Sequence, residues 1–201
     1  MAKVKAKAHA SYPLVHPKDR KAWRAWLAKN HRSSSPIWLV LNKKASGKMK
    51  MSYADAVEEA LCFGWIDALK HPLDEHTYKQ SFSKRKPTSV WSALNKTRVA
   101  TLIKSGQMTH AGLVCIEVAK KNGKWTALDD TEAMLMPADL EKALGKSKKA
   151  KAFFETISPS PKKAYLYWIN AAKRTETRAA RIKQAIVYLA QGVRSRHDVK
   201  A

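Results

Sequence analysis

Ser52-Tyr53-Ala54-Asp55-Ala56-Val57-Glu58-Glu59-Ala60-Leu61-Cys62-Phe63-Gly64-Trp65-Ile66-Asp67 passes from helical to extended patterning within one short stretch. Ser52 is a good N-cap, because its hydroxyl can take one of the backbone N–H groups that a helix start leaves free. Asp55 follows in the first turn, where the positive end of the helix dipole favours a carboxylate. Ala54, Val57 and Leu61 recur at helical spacing, and Gly64 stands where a helix closes through a left-handed residue. Trp65-Ile66 then starts a buried strand that runs at once into Asp67.

Working outward, Ile37-Trp38-Leu39-Val40-Leu41 is an apolar run of strand length behind the breaker Ser33-Ser34-Ser35-Pro36. Before it, Pro17 to Asn30 carries Trp23, Trp26 and Leu27 at helical spacing. After the quoted stretch, Tyr78-Lys79-Gln80-Ser81-Phe82 alternates as a strand does. The unit is strand–helix–strand–strand, a small sheet packed by helices.

From Lys86 onward the spacing predicts helices. One is capped by Thr88 or Ser89, shows Val90, Trp91, Leu94 and Leu102 on one stripe, and ends at Gly106. The next is capped by Thr109, carries Leu113, Ile116 and Ala119 or Lys120, and stops at Asn122-Gly123, with Gly106 and Gly112 read as punctuation. Further helices run from Pro137 to Leu144, from Ser147 through Phe153 and Phe154, from Pro161 to about Arg174, and from about Thr175 to Ala190. The expected fold is α+β and predominantly helical, with a small N-terminal β-sheet packed by helices plus a C-terminal helical lobe. The expected division is a disordered basic arm over 1–17, an α+β core over 18–125 and a helical lobe over 126–195.

Charge is the outlier in the composition. The 39 Lys+Arg face 16 Asp+Glu, a net +23. Residues 1–50 hold thirteen basic and one acidic side chain, and residues 151–201 hold eleven and three, while the middle is nearly neutral. Such a chain repels itself and gains from anionic company, which argues about association and not about fold. Cys62 and Cys115 both lie among apolar residues, as buried reduced thiols do. No stretch approaches the ~20 apolar residues of a membrane span, and the lysine-studded start, Met1 to Ala10, lacks the apolar core of a secretory signal. A cytoplasmic protein is expected.

Several words occur together: Glu59 to Asp67 as quoted, Ser89-Val90-Trp91-Ser92 with Asn95, Gly106-Gln107-Met108-Thr109 with Gly112, Gly123-Lys124-Trp125, and Ala172-Lys173-Arg174-Thr175-Glu176-Thr177-Arg178 with Arg181-Ile182. In these the chain resembles the YdeI/OmpD-associated (OmdA-type) family of bacterial proteins, some labelled bacteriocin-protection proteins, over roughly residues 18–192. The family's Pro-Arg before the tryptophan helix appears here as Lys84-Arg85-Lys86-Pro87. The resemblance implies a role in surviving toxic peptides or envelope stress, and no established reaction.

The chemistry-bearing residues favour recognition over catalysis. Projected at 100° per residue, Ile182, Ile186 and Leu189 share a helix face and Arg178 falls about 40° from Ile182, so its guanidinium needs a partner at the core margin. Asp67 is the expected carboxylate, as a plain inter-lobe salt bridge or as part of a pocket, with Glu176 the competitor. Asp67, Lys84, Arg85, Trp91, Ser92, Asn95, Arg174 and Arg178 are the residues expected to line one cleft for an anionic ligand. Arginine and lysine neutralise carboxylate or phosphate, Ser and Asn direct hydrogen bonds, and a tryptophan face stacks. Trp65 and Trp91 also fit as ordinary core. Ser92 and Cys62 have no base in a recognisable frame, the seven His make no ligand pair at helical spacing, and no phosphate or dinucleotide loop occurs. No cofactor and no metal are expected. The leading reading is a non-enzymatic protective protein that binds an anionic small molecule or protein partner. The alternatives are weak, non-specific nucleic-acid binding through the basic ends, and a small enzyme using Asp67 with Arg178 on a phosphorylated or carboxylated substrate.

Overall fold

The computed structural model describes residues 12–195. The chain divides into two compact units, one ending at Thr126 and the other beginning at Ala127. The fold is α+β and mostly helical: nine α-helices and one four-stranded sheet occur among the described residues.

The first unit begins with strand β1 (Leu14–Val15) and helix α1 (Arg20–Asn30), followed by β2 (Ile37–Asn42), α2 (Tyr53–Cys62), β3 (Trp65–Pro72), β4 (Thr77–Lys84), α3 (Ala93–Lys104) and α4 (His110–Lys121). The sheet order is β1-β2-β4-β3. β1 runs parallel to β2, and the other two pairings are antiparallel. Residues 1–11 of the expected arm lie outside the described residues. Leu14 and Val15, which the arm was expected to include, pair with Trp38 and Leu39.

Ile37, Leu39 and Leu41 share the core with Phe82 and Trp65 of the sheet and with Trp23, Leu27 and Val57 from the helices that cover that face. Trp38 and Val40 are buried too, which explains why β2 reads as an unbroken apolar run. Trp23 and Trp65 are wholly buried, and each indole N–H has an acceptor: Trp23 Nε1 donates to the Ala56 carbonyl at 3.0 Å and Trp65 Nε1 to that of His31 at 3.1 Å. A large ring with its one polar atom satisfied is an inexpensive core residue.

The start of α2 is a full capping box. Ser52 Oγ accepts from Asp55 N at 3.0 Å, and the Asp55 carboxylate accepts from Ser52 N at 2.9 Å. Gly64 closes the helix at φ +72, and a Cβ there would lie 2.7 Å from Cys115 Sγ, so both backbone and space call for glycine. Gly112 corrects the punctuation reading. It lies buried inside α4, where a Cβ would come within 2.5 Å of the Cys62 carbonyl oxygen and 2.7 Å of that of Leu61. Its absent side chain lets α4 close on the end of α2.

The tryptophan helix also starts later than its apolar spacing predicts. Ser92, and neither Thr88 nor Ser89, is the N-cap of α3, accepting from Asn95 N at 3.3 Å. The Val90 carbonyl is taken by Arg85 Nη2, and Leu94, expected on the buried stripe, is 60% exposed. Val90 and Trp91 therefore belong to the connection, and Val99 and Leu102 form the buried face.

The second unit holds α5 (Asp129–Glu132), α6 (Ala138–Gly145), α7 (Lys148–Thr156), α8 (Pro159–Asn170) and α9 (Thr175–Ala190). Its own core joins Leu140, Leu144, Phe154, Tyr165, Leu166, Ile169, Ile182, Ala185 and Leu189. α8 ends at Asn170, short of the expected Arg174, and the loop it frees brings the chain to Arg174, the N-cap of α9.

Candidate functional site: a buried arginine stacked on tryptophan

Lys84-Arg85-Lys86-Pro87 leaves the end of β4 and leads into α3. Arg85 N donates to the Gly64 carbonyl at 2.8 Å, so the corner after α2 fixes the backbone at this point. The side chain then turns inward. Its guanidinium carbon sits 3.7 Å from the centroid of the Trp91 ring, and the residue is only 9% exposed, beside a Trp91 that is 1% exposed. Nη2 donates to the Val90 carbonyl at 2.6 Å. Nε and Nη1 are buried and have no acceptor among the described residues.

That arrangement is costly. A buried guanidinium ordinarily has its N–H groups paired, and each donor left unmade costs on the order of 1–3 kcal/mol. Burial pushes the Arg85 pKa down to about 10, against weaker opposing pulls from Cys115 and Asp67. The Trp91 face offers cation–π attraction but no hydrogen-bond acceptor for the edge nitrogens. The charge is thus retained at a place that does not fully neutralise it.

Two hollows meet at this residue. A pocket of about 80 Å³ is lined by Arg85, Lys86, Trp91, Val114, Cys115 and Val118, among others. A larger groove, about 650 Å³, runs past Arg85 along Ser33, Ser35, Ser83, Lys84 and Lys86, and no carboxylate among the described residues lines it. Lys84 Nζ donates to the Arg32 carbonyl, which anchors it at the groove wall.

The other expected site residues have different employment. Asp67 Oδ2 accepts from the Tyr53 hydroxyl at 2.7 Å and from Gln80 Nε2 at 3.0 Å. Tyr53 is pushed up to about 12, by partial burial first and then by the adjoining carboxylate. The Ser92 hydroxyl is engaged as the cap of α3, and Asn95 Oδ1 accepts from Arg98 Nη1 at 3.0 Å. Arg85 and Trp91 are in direct contact, with Lys84 alongside in the chain; Ser92 and Asn95 form the helix start that follows.

In the second unit Arg178 makes a bidentate pair, Nε to Asp139 Oδ2 at 2.5 Å and Nη2 to Asp139 Oδ1 at 2.9 Å, and Nη1 reaches Asn170 Oδ1 at 3.2 Å. The carboxylate it holds is Asp139, where the sequence pointed to Asp67 with Glu176 as competitor. The reason is local: α6 presents Asp139 to the arginine at the start of α9, inside one folding unit. Arg174 is exposed and takes part through its backbone, its carbonyl accepting from Arg178 N at 2.9 Å. Sequence reasoning missed Asp139 and Asn170, although Pro137 marking the start of α6 was a signal that Asp139 lies in a first turn.

No group of three His, Cys, Asp or Glu among the described residues is placed to hold a metal ion. No helix among them is long and apolar enough to cross a membrane.

Fold and site together define a two-unit α+β protein with a partly neutralised arginine in its sheet-bearing unit. Residues 15–115, half of the chain, match the family described as "Domain of unknown function (DUF8412)", and residues 133–192 match the one described as "Bacteriocin-protection, YdeI or OmpD-Associated" (OmdA), so the chain belongs to the first and carries an OmdA domain as its second unit. The resemblance read over 18–192 is thereby divided: the OmdA match covers the C-terminal helices, and the sheet-bearing part has a family of its own. No curated protein and no solved structure matches the chain.

Proposed function

We propose that this bacteriocin-protection-type protein acts without catalysis, by binding an anionic ligand at the corner formed by Lys84, Arg85 and Trp91. The observation that carries the reading is the buried Arg85 guanidinium, two of whose nitrogens have no acceptor among the described residues. A bound oxyanion supplies acceptors and charge together, and charge-assisted bonds of this kind are about twice as strong as neutral ones. The lysines and serines of the adjoining groove, with no carboxylate among its lining side chains, extend the same preference. The net charge of +23 raises the local concentration of any anion.

Titration calorimetry with inorganic phosphate and with acetate at low ionic strength tests this. At least one of the two is expected to bind saturably to the wild type and at least tenfold more weakly to Arg85→Gln, with Lys84→Ala giving a smaller, salt-sensitive loss. Equal affinity in wild type and Arg85→Gln overturns the reading. So does binding only to a single-stranded oligonucleotide with a steep salt dependence, which marks general counterion release.

A further inference from the structure

The small pocket differs from the groove in the chemistry of its walls. Trp91 and Ala119 are almost wholly buried and form its floor, while Val114 is 38% exposed and belongs to its rim. Pro87 and Val118 complete an apolar lining in which no hydroxyl side chain takes part. The polar members are the Arg85 guanidinium, the Lys86 ammonium and the Cys115 thiol, and burial raises the pKa of that thiol, keeping it neutral. At about 80 Å³, and with roughly 10–15 Å³ needed per water-sized group, the pocket takes roughly five to eight non-hydrogen atoms.

These walls select among anions. A phosphate dianion carries two charges and several acceptor oxygens, and a hydrocarbon wall satisfies none of them. A carboxylate carries one charge on a planar pair of oxygens that suits guanidinium N–H donors, and its hydrocarbon tail gains from leaving water. The geometry points to a short aliphatic carboxylate as the ligand of this pocket, its oxygens on Arg85 and its tail against Trp91, Val114 and Val118. This rests on the anion-binding reading above and narrows its ligand. A free short-chain acid and the C-terminus of a peptide ending in a small aliphatic residue present the same chemistry, and the test separates them.

The full chain is titrated with acetate, butyrate, inorganic phosphate, the tripeptide Gly-Gly-Val and its C-terminal amide. Butyrate, two methylenes longer, is expected to bind about fifteenfold tighter than acetate, at about fourfold per added methylene. The free-acid tripeptide is expected to bind and its amide to lose at least tenfold. If the tripeptide outdoes butyrate the natural source is a peptide end, and in the reverse case it is a free acid; each result supports the carboxylate pocket. Arg85→Met removes the carboxylate response. Val114→Phe, at the rim, fills the space for the tail and removes the butyrate advantage over acetate. Butyrate no tighter than acetate, or butyrate binding retained in Arg85→Met, overturns the inference. Arg85-dependent phosphate binding without carboxylate preference overturns it alone and leaves the anion-binding reading standing; absence of any saturable anion binding overturns both.

Discussion

Glu59 is 2% exposed, yet it is a carboxylate on the inner side of α2. Two arginines of α1 reach it: Arg20 Nε at 2.6 Å and Arg24 Nη1 at 2.7 Å. Arg20 also spans to Asp55 at 2.6 Å. Both arginines keep about a third of their surface in water, while the carboxylate is buried. Glu59→Gln keeps the shape and removes the charge, and it is expected to lower unfolding free energy by about 1–3 kcal/mol, read as a lower urea midpoint. At Arg178 the pairing is half exposed and screened, and Arg178→Ala is expected to cost about 1 kcal/mol in the same measurement. Acid acts on both clusters. The hydrogen bonds from Arg178 hold Asp139 below its ordinary pKa; Asp55 is held down by Ser52 and Arg20 although burial pushes it up. Each folded carboxyl titrates below its unfolded counterpart, so the unfolded chain takes the proton first. The stability they contribute is full above the ordinary carboxylate range, near pH 4, and drains as pH falls through it. Denaturation midpoints followed from pH 6 to pH 2 should show that decline, and Asp139→Asn should blunt it.

At the scale of elements, the contact between α4 and the end of α2 is set by what is missing. Gly112→Ala would add about 1 kcal/mol of helix propensity on an exposed face, but here the new methyl meets two backbone carbonyls at under 3 Å. Backbone cannot swing aside as a side chain can, so a net loss of about 1–3 kcal/mol is expected, measured by chemical denaturation. Thr109 binds the same two helices differently: its hydroxyl donates to the Cys62 carbonyl at 2.6 Å in place of capping α4. This scale also shows where the sequence was legible. The Ser52 cap, the Gly64 stop and the strand at Ile37–Leu41 follow from local rules, and they appear as read. The start of α3 was not legible, because the carbonyl of Val90 is claimed by an arginine side chain five residues earlier, an event that periodicity does not register. Of the expected site, Arg85 and Trp91 meet through short-range chain geometry, whereas the partner of Arg178 depended on which helix packs against α9.

For the whole molecule, each unit has a hydrophobic cluster of its own, and the two family matches fall one on each unit. Residues 127–195 produced alone are therefore expected to give a helical circular-dichroism spectrum and a cooperative melt; a featureless, gradual loss of signal would show that this unit needs the other. The excess of positive charge is uneven, concentrated in residues 1–50 and 151–201, so both units carry self-repulsion that salt relieves. Melting temperatures should rise with moderate salt.

The far edge of the sheet, β3, has a register shift between Asp67 and Lys70, where Leu69 N donates to Ser81 Oγ, and it ends in Pro72. An edge so interrupted presents no straight row of donors and acceptors to a strand from another copy. The apolar strand β2 inside the sheet is shielded by that edge, where one kink and one imino acid set a barrier to fibril growth.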